Sequence, residues 1–257
     1  MVTLKPTLAS ASEIHLWLTN PATINDEALL ERYLDLLGSD ELVSYRALAR
    51  PDHQREYLIS QAFLRDVLGS YAGDDSQILE FERNASGKPH LKNTSQSMDK
   101  LQFNLSHSAE LMACTVTHAG AVGVDVEALA VDHGMLEVAD HYFSASEVAS
   151  LKDLDSAEQQ HLFCKIWTLK EAYIKARGEG LALALDSFSF ECSEPGVIRL
   201  SEGGAYRNDW QFWSLQPVDG QMIAIAAHST NASLRVFSGV PLGETNELSL
   251  ATLGQVA

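Results

Sequence analysis

Lys165-Ile166-Trp167-Thr168-Leu169-Lys170-Glu171-Ala172-Tyr173-Ile174-Lys175 carries its apolar residues at helical spacing. At about 100° per residue, Leu162, Ile166, Leu169, Tyr173 and Ala176 centre one face, and Phe163, Trp167 and Ile174 widen it. The spacing predicts a helix over about 159–177 that stops before Gly178. The same register occurs once more, in Arg55-Glu56-Tyr57-Leu58-Ile59-Ser60-Gln61-Ala62-Phe63-Leu64-Arg65. Basic, aromatic, alanine and aliphatic positions coincide, and strand-like sequence follows each helix. The echo points to two similar halves, although amphipathic helices also resemble one another by chance. In a true duplication Gln61 takes the place of Glu171, so only the second half keeps the carboxylate and the site lies between the halves.

Working outward, Ile14 to Leu18 reads as a strand, and 26–37 and 39–48 as helices. A further helix starts at Pro51, where a missing N–H costs little, and closes at Gly69. Residues 77–83 read as a strand, Ser86-Gly87-Lys88-Pro89 as a turn and 92–100 as a polar surface loop. Leu101 to Leu105 and Met112 to Thr117 resemble paired strands, followed by a strand over 121–127. Ser144 and Glu147 form a capping box. Strands dominate 187–227, and the tail from Gly239 looks loosely structured.

With 257 residues the chain can bury a substantial core, as one large domain or two small ones. A formal charge of −17, with only 18 Lys and Arg, argues against a general nucleic-acid binder, which needs a basic stripe. Cys114, Cys164 and Cys192 are odd in number and form no CxxC, which fits free thiols in a reducing compartment. Met1 to Pro6 lacks the charged region and apolar run of a signal segment, and no stretch approaches the ~20 apolar residues of a membrane span. A cytoplasmic protein is expected.

The chemistry-bearing residues are acidic first. In Gly123-Val124-Asp125-Val126-Glu127 strand alternation puts both carboxylates on one face and the valines on the other. That face is either an acidic edge or a cation site, since adjacent carboxylates repel unless a proton or cation lies between them. An all-oxygen set suits Mg²⁺, which takes one or two carboxylates and completes its shell with water and substrate phosphate. Glu171 and Lys175, four apart, are otherwise a solvated pair worth about 0.3–0.5 kcal/mol. Lys170 falls inside the apolar arc and must snorkel or meet an anion. His107, in Asn104-Leu105-Ser106-His107-Ser108, is structural, a phosphate ligand or part of a hydrolase; no GxSxG elbow supports the last. Lys88 lies on a turn without P-loop spacing.

Together and in order, Asp52-His53-Gln54-Arg55, Gly87-Lys88-Pro89, Phe103 to Ser108, Gly123 to Glu127, Phe143-Ser144 and Trp167 to Lys175 resemble the Sfp-type 4′-phosphopantetheinyl transferases. The resemblance covers about 45–190. It implies an α/β (α+β) pseudo-dimer, each half an antiparallel-type sheet on a long helix, divided at 1–119 and 120–257, with the active site at the interface. It also implies the reaction: phosphopantetheine moves from coenzyme A to a serine of an apo acyl or peptidyl carrier protein, releasing adenosine 3′,5′-bisphosphate. By the same resemblance Asp125, Glu127 and Glu171 hold Mg²⁺, Glu171 is the general base and Lys175 steadies the leaving phosphate. Arg55, Lys88 and His107 meet the nucleotide end, Asn104 and Ser106 shape that pocket with Gly87 and Pro89, and Lys170 adds to the pyrophosphate contacts.

The acidic and apolar Glu41 to Tyr45 departs from the basic helix common in the family, leaving Arg46, Arg50 or Arg55 to cover the 3′-phosphate. Leu181, Leu183 and Leu185 offer either a carrier landing site or core packing. A monomer is expected, because one chain supplies both halves. The alternative is a non-catalytic coenzyme A or carrier-binding module, which has no evident need for the intact acidic set and Lys175. A generic Mg²⁺-dependent phosphohydrolase is a third, remote reading.

Overall fold

The computed structural model describes residues 6–8, 10, 12–72, 79–92, 98, 100–129, 134–194 and 196–253. Strand β1 (Glu13–Thr19) leads into helices α1 (Glu27–Leu36), α2 (Ser39–Ala47) and α3 (Pro51–Gly69). A hairpin, β2 (Glu80–Arg83) and β3 (Pro89–Lys92), precedes β4 (Gln102–His107), β5 (Met112–Thr117) and β6 (Val122–Ala128). Next come α4 (Met135–Tyr142), α5 (Ala145–Lys152) and α6 (Ser156–Arg177). Strands β7 (Phe188–Glu194), β8 (Val197–Glu202), β9 (Ala205–Tyr206), β10 (Gln211–Val218), β11 (Gln221–Ala227), β12 (Ser233–Gly239) and β13 (Thr245–Leu248) complete the fold. Most of the expected 92–100 loop lies outside the described residues.

The large sheet runs β13-β12-β1-β5-β4, and a second runs β10-β11-β6. Among the described residues all pairings are antiparallel except that of β1 with β12, which is parallel. Both faces of β1 are buried, which explains its near-continuous apolar sequence. Trp17, Cys114 and Val116 pack with α3 on one side, and Ile14, Leu16 and Leu18 meet the valines of β6 on the other. Helix α6 covers the far face of the second sheet, through Ala172 and Tyr173 against Ala224 and Ala226. Each half is thus a long helix on an antiparallel-rich sheet.

The segment beyond Gly239 differs from expectation, because β13 pairs with β12 from Val236↔Leu248 to Gly239↔Thr245. Thr-Asn-Glu-Leu carries no apolar alternation. Its order comes from the Arg235 guanidinium, which grips both carboxylate oxygens of Glu247 at 2.8 Å. No helix among the described residues is long and apolar enough to cross a membrane.

His15, on β1 in the middle of the large sheet, is fully buried, its Nδ1 2.6 Å from the Tyr71 hydroxyl and its Nε2 3.5 Å from Glu13. Burial, only partly offset by Glu13, pulls its pKa down to about 4. Below pH 6.5 the unfolded chain therefore takes up this proton first, and stability present at neutral pH is lost as pH falls toward 4. The pKa difference corresponds to about 3 kcal/mol. Equilibrium denaturation between pH 7 and 4 is expected to show this slope, and His15→Gln to flatten it; an unchanged slope in the variant would refute the assignment.

Candidate active site

With Val122, Val124 and Val126 turned into the core between the sheets, alternation aims Gly123, Asp125 and Glu127 at α6. Gly123 sets the distance. A Cβ there would collide with the carbonyl oxygen of Ala172 and the amide nitrogen of Ala176, both backbone atoms of α6. The helix thus lies directly on the strand, which brings Glu171 and Lys175 beside Asp125. Gly123→Ala is expected to cost about 1–3 kcal/mol by overpacking and to lower activity by displacing the helix. Thermal unfolding with a parallel assay checks this; a fully stable, fully active variant would contradict it.

Strands β4 and β6 are the facing edges of the two sheets, and side chains replace a ladder between them. Asn104 Oδ1 accepts from Val124 N at 2.8 Å, and Ser106 Oγ accepts from Val126 N at 3.3 Å. Lys88 Nζ donates to Val122 O at 3.0 Å. Edge groups that would otherwise be left unpaired are satisfied at every second residue. Ser106 goes further: its hydroxyl donates to Asp125 Oδ1 at 3.1 Å and accepts from Lys175 Nζ at 2.9 Å.

Asp125 is almost completely buried, and Lys175 Nζ lies 2.5 Å from its Oδ1. Its Oδ2 is buried with no hydrogen-bond partner among the described residues. Burial first, then the charge of Asp125, pushes the Glu171 carboxyl above the usual carboxylate range, and Lys175 opposes the shift. Glu127 is raised by burial and then by Asp125, while a hydrogen bond from Trp167 Nε1 at 3.2 Å counteracts this. Trp167 therefore both packs in its aromatic cluster and orients Glu127, a role that helical spacing alone does not reveal.

Among the described residues no three His, Cys, Asp or Glu side chains are gathered to hold a metal ion. Mg²⁺ does not require such a cage: one or two carboxylates, water and a substrate phosphate suffice. The unpartnered Asp125 oxygen and the all-oxygen character of its acidic neighbours fit that cation.

A cavity of about 270 Å³ opens between the halves. Ser86, Gly87 and Lys88 line one side, Glu171, Ile174, Lys175, Gly178 and Gly180 the other, with Asn104 and Leu105 between. Burial lowers the Lys88 pKa to about 8, and its ammonium also reaches Ala176 O at 3.2 Å. Pro89 lines an adjoining cavity. His107 sits at the end of β4 with Nδ1 3.0 Å from Glu56, both half-exposed.

Two expected ligands are placed elsewhere. Arg55 spends Nη2 on the carbonyl oxygens of Pro21 and Ile24 and on Asn25, bracing a turn, and it lines a separate cavity between α1 and α3. Lys170 is no pyrophosphate contact: it is fully buried and bonded to Glu147 Oε2 at 2.8 Å and to the carbonyls of Leu185 and Phe188 at 2.7 Å. It meets an anion, but one of the fold. Leu185 is likewise core, with Leu183 packed against the same cluster, and the side chain of Leu181 lies outside the described set.

Residues 121–227 match the family model described as 4′-phosphopantetheinyl transferase superfamily, and 26–118 one described as 4′-phosphopantetheinyl transferase, N-terminal. The 4′-phosphopantetheinyl transferase HetI of Nostoc sp. is 31% identical over 220 residues, covering 84% of this chain and 88% of that protein. The chain belongs to the 4′-phosphopantetheinyl transferase family, of the Sfp type. Sfp of Bacillus subtilis is 27% identical to this transferase over 170 residues, covering 66% of the chain and 73% of Sfp. The psf-1 transferase of Bacillus pumilus is 33% identical over 148 residues, covering 57% and 60%. Both matched regions contribute walls to the cavity.

Proposed function

We propose that this transferase moves the 4′-phosphopantetheine arm of coenzyme A onto a serine of an apo acyl or peptidyl carrier protein, with Mg²⁺, working as a monomer in the cytoplasm. The observation that carries the reading is the facing of Asp125, on β6, by Lys175 and Glu171, on α6, which themselves line one cavity between the halves.

In this reading Asp125, Glu127 and Glu171 would supply the carboxylates for the cation, with water and substrate phosphate completing its shell. When bound, Mg²⁺ neutralises the diphosphate of the donor, which is most of what phosphoryl transfer asks of a site. Glu171, at the cavity edge, accepts the proton of the incoming serine hydroxyl. The serine oxygen bonds to the phosphorus that bears pantetheine, the bond from that phosphorus to the bridging oxygen breaks, and adenosine 3′,5′-bisphosphate leaves. Lys175 neutralises the negative charge that grows on the leaving oxygen. Gly87, Lys88, Pro89, Asn104 and His107 border the nucleotide end, and Ser106 holds Asp125 and Lys175 in register.

Incubation with Mg²⁺, coenzyme A and a panel of apo carrier proteins is expected to add one phosphopantetheine, read by intact-protein mass spectrometry. Coenzyme A binding without any mass gain across the panel would overturn the reading and favour a binding module.

A further inference from the structure

The two walls of the cavity belong to different halves, and no strand ladder joins them: among the described residues β2 and β3 pair only with each other. What holds the hairpin wall against α6 must therefore be side chains. Asn84 uses every polar group it has. Its amide N–H donates to Lys88 O at 3.0 Å, and its carbonyl accepts from Gly87 N at 2.9 Å. Its Oδ1 accepts from both Ser86 N and Lys88 N at 2.9 Å, which folds the turn. Its Nδ2 crosses to the other half and donates to Gly178 O at 3.1 Å.

The acceptor side makes chemical sense. The last carbonyls of a helix lack intrahelical partners. Here Lys88 takes Ala176 O and Asn84 takes Gly178 O. Gly178 and Gly180 have φ of +67° and +58°, and a Cβ on Gly180 would press on Ser86 at 3.2 Å, so the approach is close.

We infer that Asn84 is a positioning residue for the donor substrate: it ties the Ser86-Gly87-Lys88 wall to the C-terminal end of the catalytic helix and so sets the width of the cavity. The inference rests on the transferase reading and goes beyond its reacting groups, since Asn84 touches neither the carboxylates nor Lys175.

Asn84→Asp separates the two jobs. The carboxylate keeps both acceptor bonds of the turn, loses the donor to Gly178 O, and sets negative charge against the negative end of a helix. Steady-state transfer is expected to show KM for coenzyme A raised about tenfold, with kcat at saturation within about twofold and Tm little changed, because only one exposed hydrogen bond is removed. Asn84→Ala, which also loses the turn, is expected to raise KM at least as far; should it unfold, Asn84→Asp decides alone. An unchanged KM, or a fall in kcat with KM intact, would overturn the assignment. Calorimetric coenzyme A affinities of the same proteins separate the two claims. If the unaltered chain transfers nothing, the functional reading fails, yet weaker binding by the variants still supports Asn84 and equal binding still removes it.

Discussion

Glu171→Gln is expected to leave a folded protein whose transfer rate falls by about 10²- to 10⁴-fold, the usual contribution of a positioned base. Glutamine matches glutamate in shape, and residue 171 lies half-buried at the cavity edge, so stability should stay within about 0.5 kcal/mol. What is lost is the carboxylate: it cannot accept the serine proton and binds a cation more weakly. The pH profile adds a second check. Glu171 must be ionised to take the serine proton, so activity in the unaltered protein should rise with pH through a limb that reports this carboxylate. In the variant that limb should vanish from the residual rate. Unfolding curves with single-turnover mass spectrometry measure both, and near-normal turnover by a folded Glu171→Gln protein would remove Glu171 from the chemistry.

The neighbouring position is expected to behave in the opposite way. Lys170→Met should cost about 3–5 kcal/mol, the usual price of removing one member of a buried ion pair, out of a total stability of about 5–15 kcal/mol. Lys170 is fully buried, and its three N–H groups go to Glu147, Leu185 O and Phe188 O, with the ring of Phe188 4.4 Å from the ammonium. Burial lowers its pKa, and Glu147 works against that shift. Methionine fits the space and offers no donor, which strands the carboxylate and two carbonyls. Glu147 itself accepts from Ser144 N at 2.8 Å and Phe190 N at 2.7 Å, so the pair joins α5, α6 and β7. Adding Glu147→Gln should recover part of the loss, because the uncompensated charge is gone, giving a coupling of about 0.5–3 kcal/mol in a double-mutant cycle. A urea midpoint shift worth under about 1 kcal/mol for Lys170→Met would sink this account.

Much of this was legible from residue order. The two amphipathic helices and the alternation that sets Asp125 and Glu127 opposite three valines are properties of short segments; the close approach at Gly123 is not, because the backbone it admits, at Ala172 and Ala176, is distant in sequence. Lys170 was legible only as a choice: spacing showed a lysine inside an apolar arc and could not tell an anion of the substrate from an anion of the fold. The capping box of Ser144 and Glu147 was visible, but the second task of Glu147 depends on a helix turn 23 residues away, which no local pattern encodes. Asn84 carries no such signal, because an asparagine before a turn is ordinary until its partner, Gly178 O, is known. The tail hid β13 because its order comes from Arg235 rather than from apolar alternation.

The parallel pairing of β1 with β12 has a consequence for how the polypeptide matures. Residues 13–19 leave the ribosome long before the neighbour they need, residues 233–239. Until those residues emerge the first strand must wait with one flank bare, a state prone to mispairing with other nascent chains. Completion of the first half is therefore expected only once residues 233–239 have been made. A fragment ending near residue 119 should aggregate by itself, and a separately supplied C-terminal piece that includes 233–248 should rescue it.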